Sequence, residues 1–136
     1  MRGLDILFLD DDQIVCEILA AQMKRFGHNV TVVNAPKAAI EVLQSRNDFD
    51  VLVTDISMPG DMSGIDVAIT AWELSGGDIR IVLLTGFLDL AKYEEPLSKF
   101  DYVYLQKPAR KAQLAAALTT CPSAGLRKTP KAADRG

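Results

Sequence analysis

Five short apolar runs alternate with five segments of helical spacing, and this alternation constrains the fold more than any other feature of the chain. The runs are LDILFL, NVTVV, DVLVT, IRIVLL and DYVYL. Three of them are almost continuously apolar, as expected for strands that helices cover on both faces of a parallel sheet. A strand–helix unit repeated five times therefore predicts an α/β fold.

The segments between the runs carry helix signals. The first has a broad apolar stripe, formed by Ile14, Ile18, Leu19, Ala21, Met23 and Phe26. Gly27 is a residue type that ends helices, Pro36 suits a first helical turn, and Pro96 should end or kink the fourth helix early. Crossover connections between parallel strands are right-handed, and five strand–helix units are too few for a closed barrel, so we expect an open, doubly wound sheet. In such sheets, ligands bind at the carboxyl ends of the strands.

Length and charge limit the class of protein. The 136 residues fit one domain, which we place at residues 1–120, followed by a disordered, mildly basic tail at 121–136. Residues 1–118 hold 11 Lys and Arg against 17 Asp and Glu, and this acidic body argues against direct nucleic-acid binding. The sequence has no membrane-spanning stretch and no signal-peptide pattern, so we expect a cytoplasmic protein without membrane association.

The few cysteine and histidine residues exclude several kinds of site. Cys16 and Cys121 cannot form a multi-bridge framework and lack metal-ligand spacing, and Cys16 fits a small core residue. His28 is the only histidine and is interpreted as a solvated loop residue. A single histidine also argues against a histidine-phosphotransfer domain or a histidine-based hydrolase.

Polar residues follow four of the five predicted strands. They are Asp10, Asp11 and Asp12 after the first, Asp55 in DISMPG after the third, Thr85 in LLTGF after the fourth, and Lys107 in YLQKP after the fifth. Because the carboxyl ends of parallel strands meet at one edge, we expect these side chains to converge.

Carboxylates without histidine or cysteine favour a hard divalent cation such as Mg²⁺ or Mn²⁺. A carboxylate can also act as a nucleophile toward phosphorus, with the ammonium and the hydroxyl holding a phosphoryl group. The pattern therefore predicts phosphoryl transfer to or from a carboxylate.

The motifs ILFLDDD, DISMPG, LLTGF and YLQKP occur in the order and at nearly the spacing of a known family. Over about residues 3–120 the chain resembles a response-regulator receiver domain of two-component signalling. The resemblance implies a flavodoxin-like fold, with a five-stranded parallel sheet in the order 2-1-3-4-5 and five helices.

The resemblance also implies roles for single residues. Asp55 matches the phosphoacceptor, which attacks the phosphohistidine of a partner kinase or a small donor such as acetyl phosphate. Asp10, Asp11, Asp55 and the backbone carbonyl of Ser57 match the metal site, Lys107 would hold a phosphoryl oxygen, and Asp12 would begin the first helix. Such a domain is not an enzyme for other substrates, because it catalyses only its own phosphoryl transfer.

Thr85 and Tyr104 resemble the family's switch pair, which alters the surface of the fourth helix, fifth strand and fifth helix for protein–protein output. Ser57 and Phe87 occupy the two positions that commonly tune phosphoryl lifetime. Neither is a strong general base, so we expect slow self-dephosphorylation.

The chain departs from the family pattern at two further places. Gly64 arrives one residue later than usual, which predicts a reshaped loop before the third helix, and Ala109 replaces a common aromatic.

Two alternatives remain: a receiver-like interaction module that works without phosphorylation, and a phosphatase with an aspartate nucleophile on the first strand. The first should have lost members of its site, and the second lacks the Gly and Thr that its pattern requires. A Rossmann dinucleotide-binding domain is excluded, because no Gly-rich turn follows the first predicted strand.

The output is open at this stage. The chain is either a single-domain regulator or a receiver of a longer protein, such as a hybrid histidine kinase. The expected partners are a sensor or hybrid histidine kinase or a phosphotransfer protein, and a downstream protein target. Homodimerisation through the fourth-helix face is a further alternative for the output.

Overall fold

The computed structural model describes residues 3–46, 48–58, 60, 62–86, 93–107 and 109–119. Its strands are β1 (Asp5–Leu9), β2 (Asn29–Val33), β3 (Val51–Asp55), β4 (Arg80–Thr85) and β5 (Val103–Gln106). Its helices are α1 (Gln13–Arg25), α2 (Pro36–Ser45), α3 (Gly64–Leu74), α4 (Glu94–Leu97) and α5 (Lys111–Thr119). No helix in these ranges has the length and apolar character needed to cross a bilayer.

The five strands form one parallel sheet in the order β2-β1-β3-β4-β5, as predicted. Leu9 pairs with Val33 on one side and with Thr54 on the other, and Asp55 pairs with Leu84. The last strand pairs Thr85 with Gln106. This register brings the carboxyl ends of β1, β3, β4 and β5 to the same edge of the sheet.

Alternate side chains of the strands point into two separate cores, because successive residues of a strand face opposite sides of the sheet. One core contains Leu7, Leu52 and Leu83 and packs against α2, α3 and α4. The other contains Phe8, Val53 and Leu84 and packs against α1 and α5. Burial on both faces explains the continuous apolar runs.

Helix α1 begins and ends where its residue types predict. The Asp12 side chain accepts hydrogen bonds from the backbone N–H groups of Ile14 and Val15, which satisfies donors that an uncapped helix would leave free. Gly27 follows the last turn with a φ of 94°, a conformation that glycine adopts without strain. The interpretation of Asp12 as the residue that begins this helix is therefore confirmed.

Only part of the apolar stripe on α1 is buried in the structure. The buried side of the helix is formed by Cys16, Leu19, Ala20 and Met23. Ile14 and Ile18 are instead 68% and 53% exposed. The sequence carries two apolar faces on this helix, and the sheet covers one of them.

Two other expectations differ from the structure or fall outside it. His28 is not simply solvated, because its Nδ1 atom accepts a hydrogen bond of 3.0 Å from the backbone N–H of Leu4. By contrast, the prediction that Pro96 ends the fourth helix early is confirmed, because α4 ends at Leu97, one residue after the proline. The start of the predicted fourth helix at residues 88–92, the residue Phe87 and the predicted tail at 121–136 lie outside the described residues.

Candidate functional site

The polar side chains of four strands meet at the carboxyl edge of the sheet. Asp10 follows β1, Asp55 ends β3, Thr85 ends β4 and Lys107 follows β5. Asp10, Asp55 and Thr85 are buried, with exposed fractions of 0%, 6% and 1%. The backbone N–H of Lys107 donates to the Thr85 carbonyl oxygen at 2.7 Å, so the last two strand ends are held together.

The ammonium of Lys107 lies between two buried carboxylates. Its Nζ atom is 2.8 Å from Asp10 Oδ2 and 3.3 Å from Asp55 Oδ2. A buried carboxylate without a nearby cation is strongly disfavoured, so this lysine compensates part of the charge at the strand ends. Among the described residues at this edge, the one Lys107 ammonium nevertheless lies near three carboxylates, because Asp11 belongs to the same cluster as Asp10 and Asp55.

Asp10, Asp11 and Asp55 can together hold a metal ion. Each offers one carboxylate oxygen, and these oxygens all lie within 4.8 Å of one another. Asp10 Oδ2 is buried and, among the described residues, accepts no hydrogen bond of good angle even though Lys107 Nζ is close. Buried carboxylate oxygens with spare lone pairs suit a hard divalent cation such as Mg²⁺. Asp11 is exposed and leaves the cluster open to solvent.

The electrostatics of Asp55 and Lys107 follow from their burial and their neighbours. Burial raises the pKa of Asp55, and Asp10 adds to that rise, although the Lys107 ammonium works against it. Burial alone would lower the pKa of Lys107, but its contacts with Asp10 and Asp55 outweigh that effect and leave the pKa raised. The lysine therefore stays charged, and Asp55 would gain from any further cation beside it.

Several backbone contacts fix the position of Asp10. Its Oδ1 atom accepts a 2.9 Å hydrogen bond from the backbone N–H of Asp12. Its carbonyl oxygen accepts from Asn34 Nδ2 at 3.0 Å and from the Cys16 thiol at 3.2 Å. Sequence reasoning missed these roles of Asn34 and Cys16. The position of Asn34 directly after a predicted strand was a signal that could have identified it.

Gly64 holds the start of α3 against the end of β3. Its backbone N–H donates to the Ile56 carbonyl oxygen at 3.1 Å. A Cβ atom at position 64 would overlap the Asp55 carbonyl oxygen and would lie 2.7 Å from Thr54 Oγ1. The position therefore requires glycine, a constraint that the sequence pattern did not reveal.

Thr85 and Tyr104 lie on the same face of neighbouring strands. Thr85 pairs with Gln106, and Tyr104 precedes Gln106 by two residues, which places it on that face. Tyr104 is half-buried against the core on this side. Ser57 is exposed just beyond β3, whereas the predicted partner position Phe87 is outside the described residues.

The fold and the site define a flavodoxin-like α/β domain with an acidic, lysine-containing site at the carboxyl ends of its strands. The family model described as "Response regulator receiver domain" matches residues 6–119. The chain belongs to this family, the receiver domains of two-component signalling.

Two curated proteins illustrate the relationship. The chain is 31% identical to the two-component response regulator ARR10 of Arabidopsis thaliana over 115 residues, which cover 82% of the chain and 20% of that protein. It is 27% identical to the probable histidine kinase 6 of Oryza sativa subsp. japonica over 131 residues, covering 82% and 13% respectively. The chain thus spans about a fifth or less of the length of these relatives.

Solved structures agree with the sheet order and helix arrangement. A response regulator receiver protein from Sinorhizobium medicae is 30% identical, with a TM-score of 0.79 over 90% of this chain and 96% of that one. A response regulator from Burkholderia pseudomallei, crystallised with a phosphorylated aspartic acid, a calcium ion and citrate, is 27% identical. Its TM-score is 0.75, over 89% of this chain and 69% of that one.

Proposed function

We propose that this domain is a phosphoacceptor in two-component signalling and that Asp55 receives the phosphoryl group. The observation that carries the proposal is the position of Asp55: it is buried at a strand end, 3.3 Å from Lys107 Nζ and within one metal-binding cluster with Asp10 and Asp11. The phosphorylated aspartate named for the Burkholderia pseudomallei relative supports the same chemistry.

The transfer is a displacement at phosphorus. An Asp55 carboxylate oxygen attacks the phosphorus atom of a phosphohistidine, forming an acyl phosphate while the N–P bond breaks. The electron pair of that bond leaves with the imidazole of the donor. With acetyl phosphate as donor, the bond that breaks is the P–O bond to acetate. Lys107 faces the reacting carboxylate and would hold a phosphoryl oxygen, which offsets negative charge in the transition state.

The acidic cluster fits Mg²⁺ or Mn²⁺, with Asp10, Asp11, Asp55 and the Ser57 carbonyl as the proposed ligands. A divalent ion held there supplies positive charge that reduces repulsion between the carboxylates and the incoming phosphoryl group. The residues of the chain supply the rest: Asp10 fixes the cluster through its backbone contacts, and burial shields Asp55 from bulk water. The exposed Asp11 faces the side from which a donor must approach.

Phosphorylation would add charge and acceptor oxygens next to the end of β4. Thr85 carries the nearest hydroxyl on β4, and we propose that it donates to a phosphoryl oxygen. Tyr104, on the same sheet face, would fill the space that Thr85 vacates and so change the surface formed by α4, β5 and α5. Ser57 and Phe87 stay predictions for slow self-dephosphorylation.

Receiver domains are generally regulatory rather than catalytic, so we infer that the output is a protein contact. The proposed partners are a sensor or hybrid histidine kinase or a phosphotransfer protein on the input side, and a downstream protein on the output side. The likeness to a probable histidine kinase as well as to response regulators supports both settings, a stand-alone regulator and a receiver within a longer chain.

Intact-mass measurement tests the proposal. The protein is incubated with acetyl phosphate and Mg²⁺, and we expect a gain of one phosphoryl group that is absent in Asp55→Asn and in EDTA. Asp50→Asn is the matched control, because Asp50 lies at the opposite end of β3 and should leave labelling unchanged. Absence of labelling with both acetyl phosphate and a phosphorylated kinase would favour the phosphorylation-independent interaction module.

A further inference from the structure

The solvent side of α1 carries an apolar row that the domain itself does not cover. Ile14 and Ile18 are the two most exposed large apolar side chains among the described residues, at 68% and 53%. Ala21 and Arg25 are also exposed and continue the row at the spacing of three and four residues. We call these four residues the α1 seam. Their spacing is that of the a and d positions of a coiled coil.

Two opposite charges flank the α1 seam on the same side. Glu17 and Lys24 are seven residues apart and therefore occupy the same heptad position, beside the seam. Both are exposed, and neither forms an ion pair with another described residue. Glu17 lies in the first half of the helix and Lys24 in its last turn, so the flank is negative at one end and positive at the other.

We propose that the α1 seam binds the α1 seam of a second copy of this chain, with the two helices antiparallel about a two-fold axis. In that arrangement equivalent flanks meet, so Glu17 of each copy faces Lys24 of the other. Ile18 packs against Ala21 of the second copy, and Ile14 packs against the aliphatic stem of Arg25. This surface differs from the fourth-helix face expected from the sequence.

Charge complementarity selects a second copy as the occupant. Each copy carries both Glu17 and Lys24, so two antiparallel copies form two Glu17–Lys24 ion pairs without any other protein. In a parallel pair of helices, Glu17 of one copy would not face Lys24 of the other, so these ion pairs would not form. A groove of about 370 Å³ adjoins the seam, lined by Val15, Ile18, Leu19, Lys107 and Ala109, and widens the apolar surface. One helix pair is small compared with an obligate interface, so the dimer is weak and depends on concentration.

Sedimentation velocity of the full chain over a range of concentrations tests this self-association. The wild type should shift from monomer toward dimer as concentration rises. E17K should weaken association roughly tenfold or more, because symmetry turns both attractive pairs into repulsive ones. K24E should do the same. Leu74→Ser is the control: Leu74 is 40% exposed on α3, across the sheet from α1.

A mixing experiment makes the test specific for the antiparallel arrangement. E17K has two positive flank residues and K24E has two negative ones, so each alone should associate more weakly than the wild type, while an equal mixture should associate as strongly as the wild type. The double variant carrying both changes should associate like the wild type. A wild type that stays monomeric at every concentration, or a mixture that stays monomeric while the wild type dimerises, would overturn the proposal. A wild type that is always monomeric would indicate that the α1 seam binds a different protein.

Discussion

Replacing Gly64 with alanine should disturb the site more than its size suggests. The added Cβ would lie 2.8 Å from the Asp55 carbonyl carbon and would overlap the carbonyl oxygen, whereas ordinary contacts begin at 3.4 Å. Even the carbon alone requires a shift of about 0.6 Å, the difference between those two distances, and the oxygen requires more. The start of α3 and the end of β3 must therefore separate, and Asp55 moves with its backbone.

The expected cost has a structural and a functional part. Forced overpacking and a weakened Gly64 N–H to Ile56 bond should together lower the free energy of unfolding by about 2–4 kcal/mol. Misplacing an attacking group by about 1 Å can cost roughly a hundredfold in rate, so a shift of this size should slow phosphorylation by roughly ten- to a hundredfold.

The assay is urea unfolding together with the rate of labelling by acetyl phosphate in Mg²⁺. Gly86→Ala is the matched control, because a Cβ atom there meets none of the described residues within 4 Å although the residue directly follows Thr85. Its stability and rate should stay close to wild type. If Gly64→Ala behaves like Gly86→Ala in both measurements, the claim that close backbone approach positions Asp55 is wrong.

Three further predictions concern the charges of the site. Lys107→Met should lower the free energy of unfolding by about 2–4 kcal/mol in EDTA, since it leaves two buried carboxylates without their nearest cation, and Mg²⁺ should restore part of that loss in urea titrations. Asp55→Asn should unfold at higher urea than wild type at neutral pH in EDTA. Because burial raises the folded-state pKa of Asp55, ionisation opposes folding. The advantage should therefore grow as pH rises from the ordinary 3.8 through the raised value, and an advantage equally large at pH 3 would refute that cause. Mg²⁺ should raise the unfolding midpoint of the wild type, and Asp11→Asn should remove most of that gain while barely changing stability in EDTA, because Asp11 is exposed. An unchanged response to Mg²⁺ in that variant would exclude Asp11 as a ligand.

The sheet was predictable because its pattern is local. Each buried strand appears as an apolar run, and the rule that ligands bind at the carboxyl ends of parallel strands is enough to group Asp10, Asp55, Thr85 and Lys107 from the sequence alone. Helix α1 was less predictable. Its apolar residues cover more than one face, and periodicity cannot show which face the sheet covers or that Ile18 stays exposed.

Contacts between distant segments explain what the sequence did not reveal. Asn34 supports Asp10 across 24 residues, and the glycine at position 64 is required only because α3 starts against the carbonyl group of Asp55. Neither contact leaves a periodic trace along the chain. Burial changes the pKa of Asp55 for the same reason: packing from several elements, rather than neighbours in sequence, removes water from the carboxylate.

Locating the phosphoryl group decides whether Asp55 is the phosphoacceptor. After labelling with acetyl phosphate and Mg²⁺, borohydride reduces an aspartyl phosphate to homoserine, and peptide mass spectrometry then identifies the altered residue. We expect homoserine at position 55 alone, with none in a sample treated with EDTA. Homoserine at position 10 or 11, or a phosphoryl group that survives borohydride on a hydroxyl side chain, would contradict it.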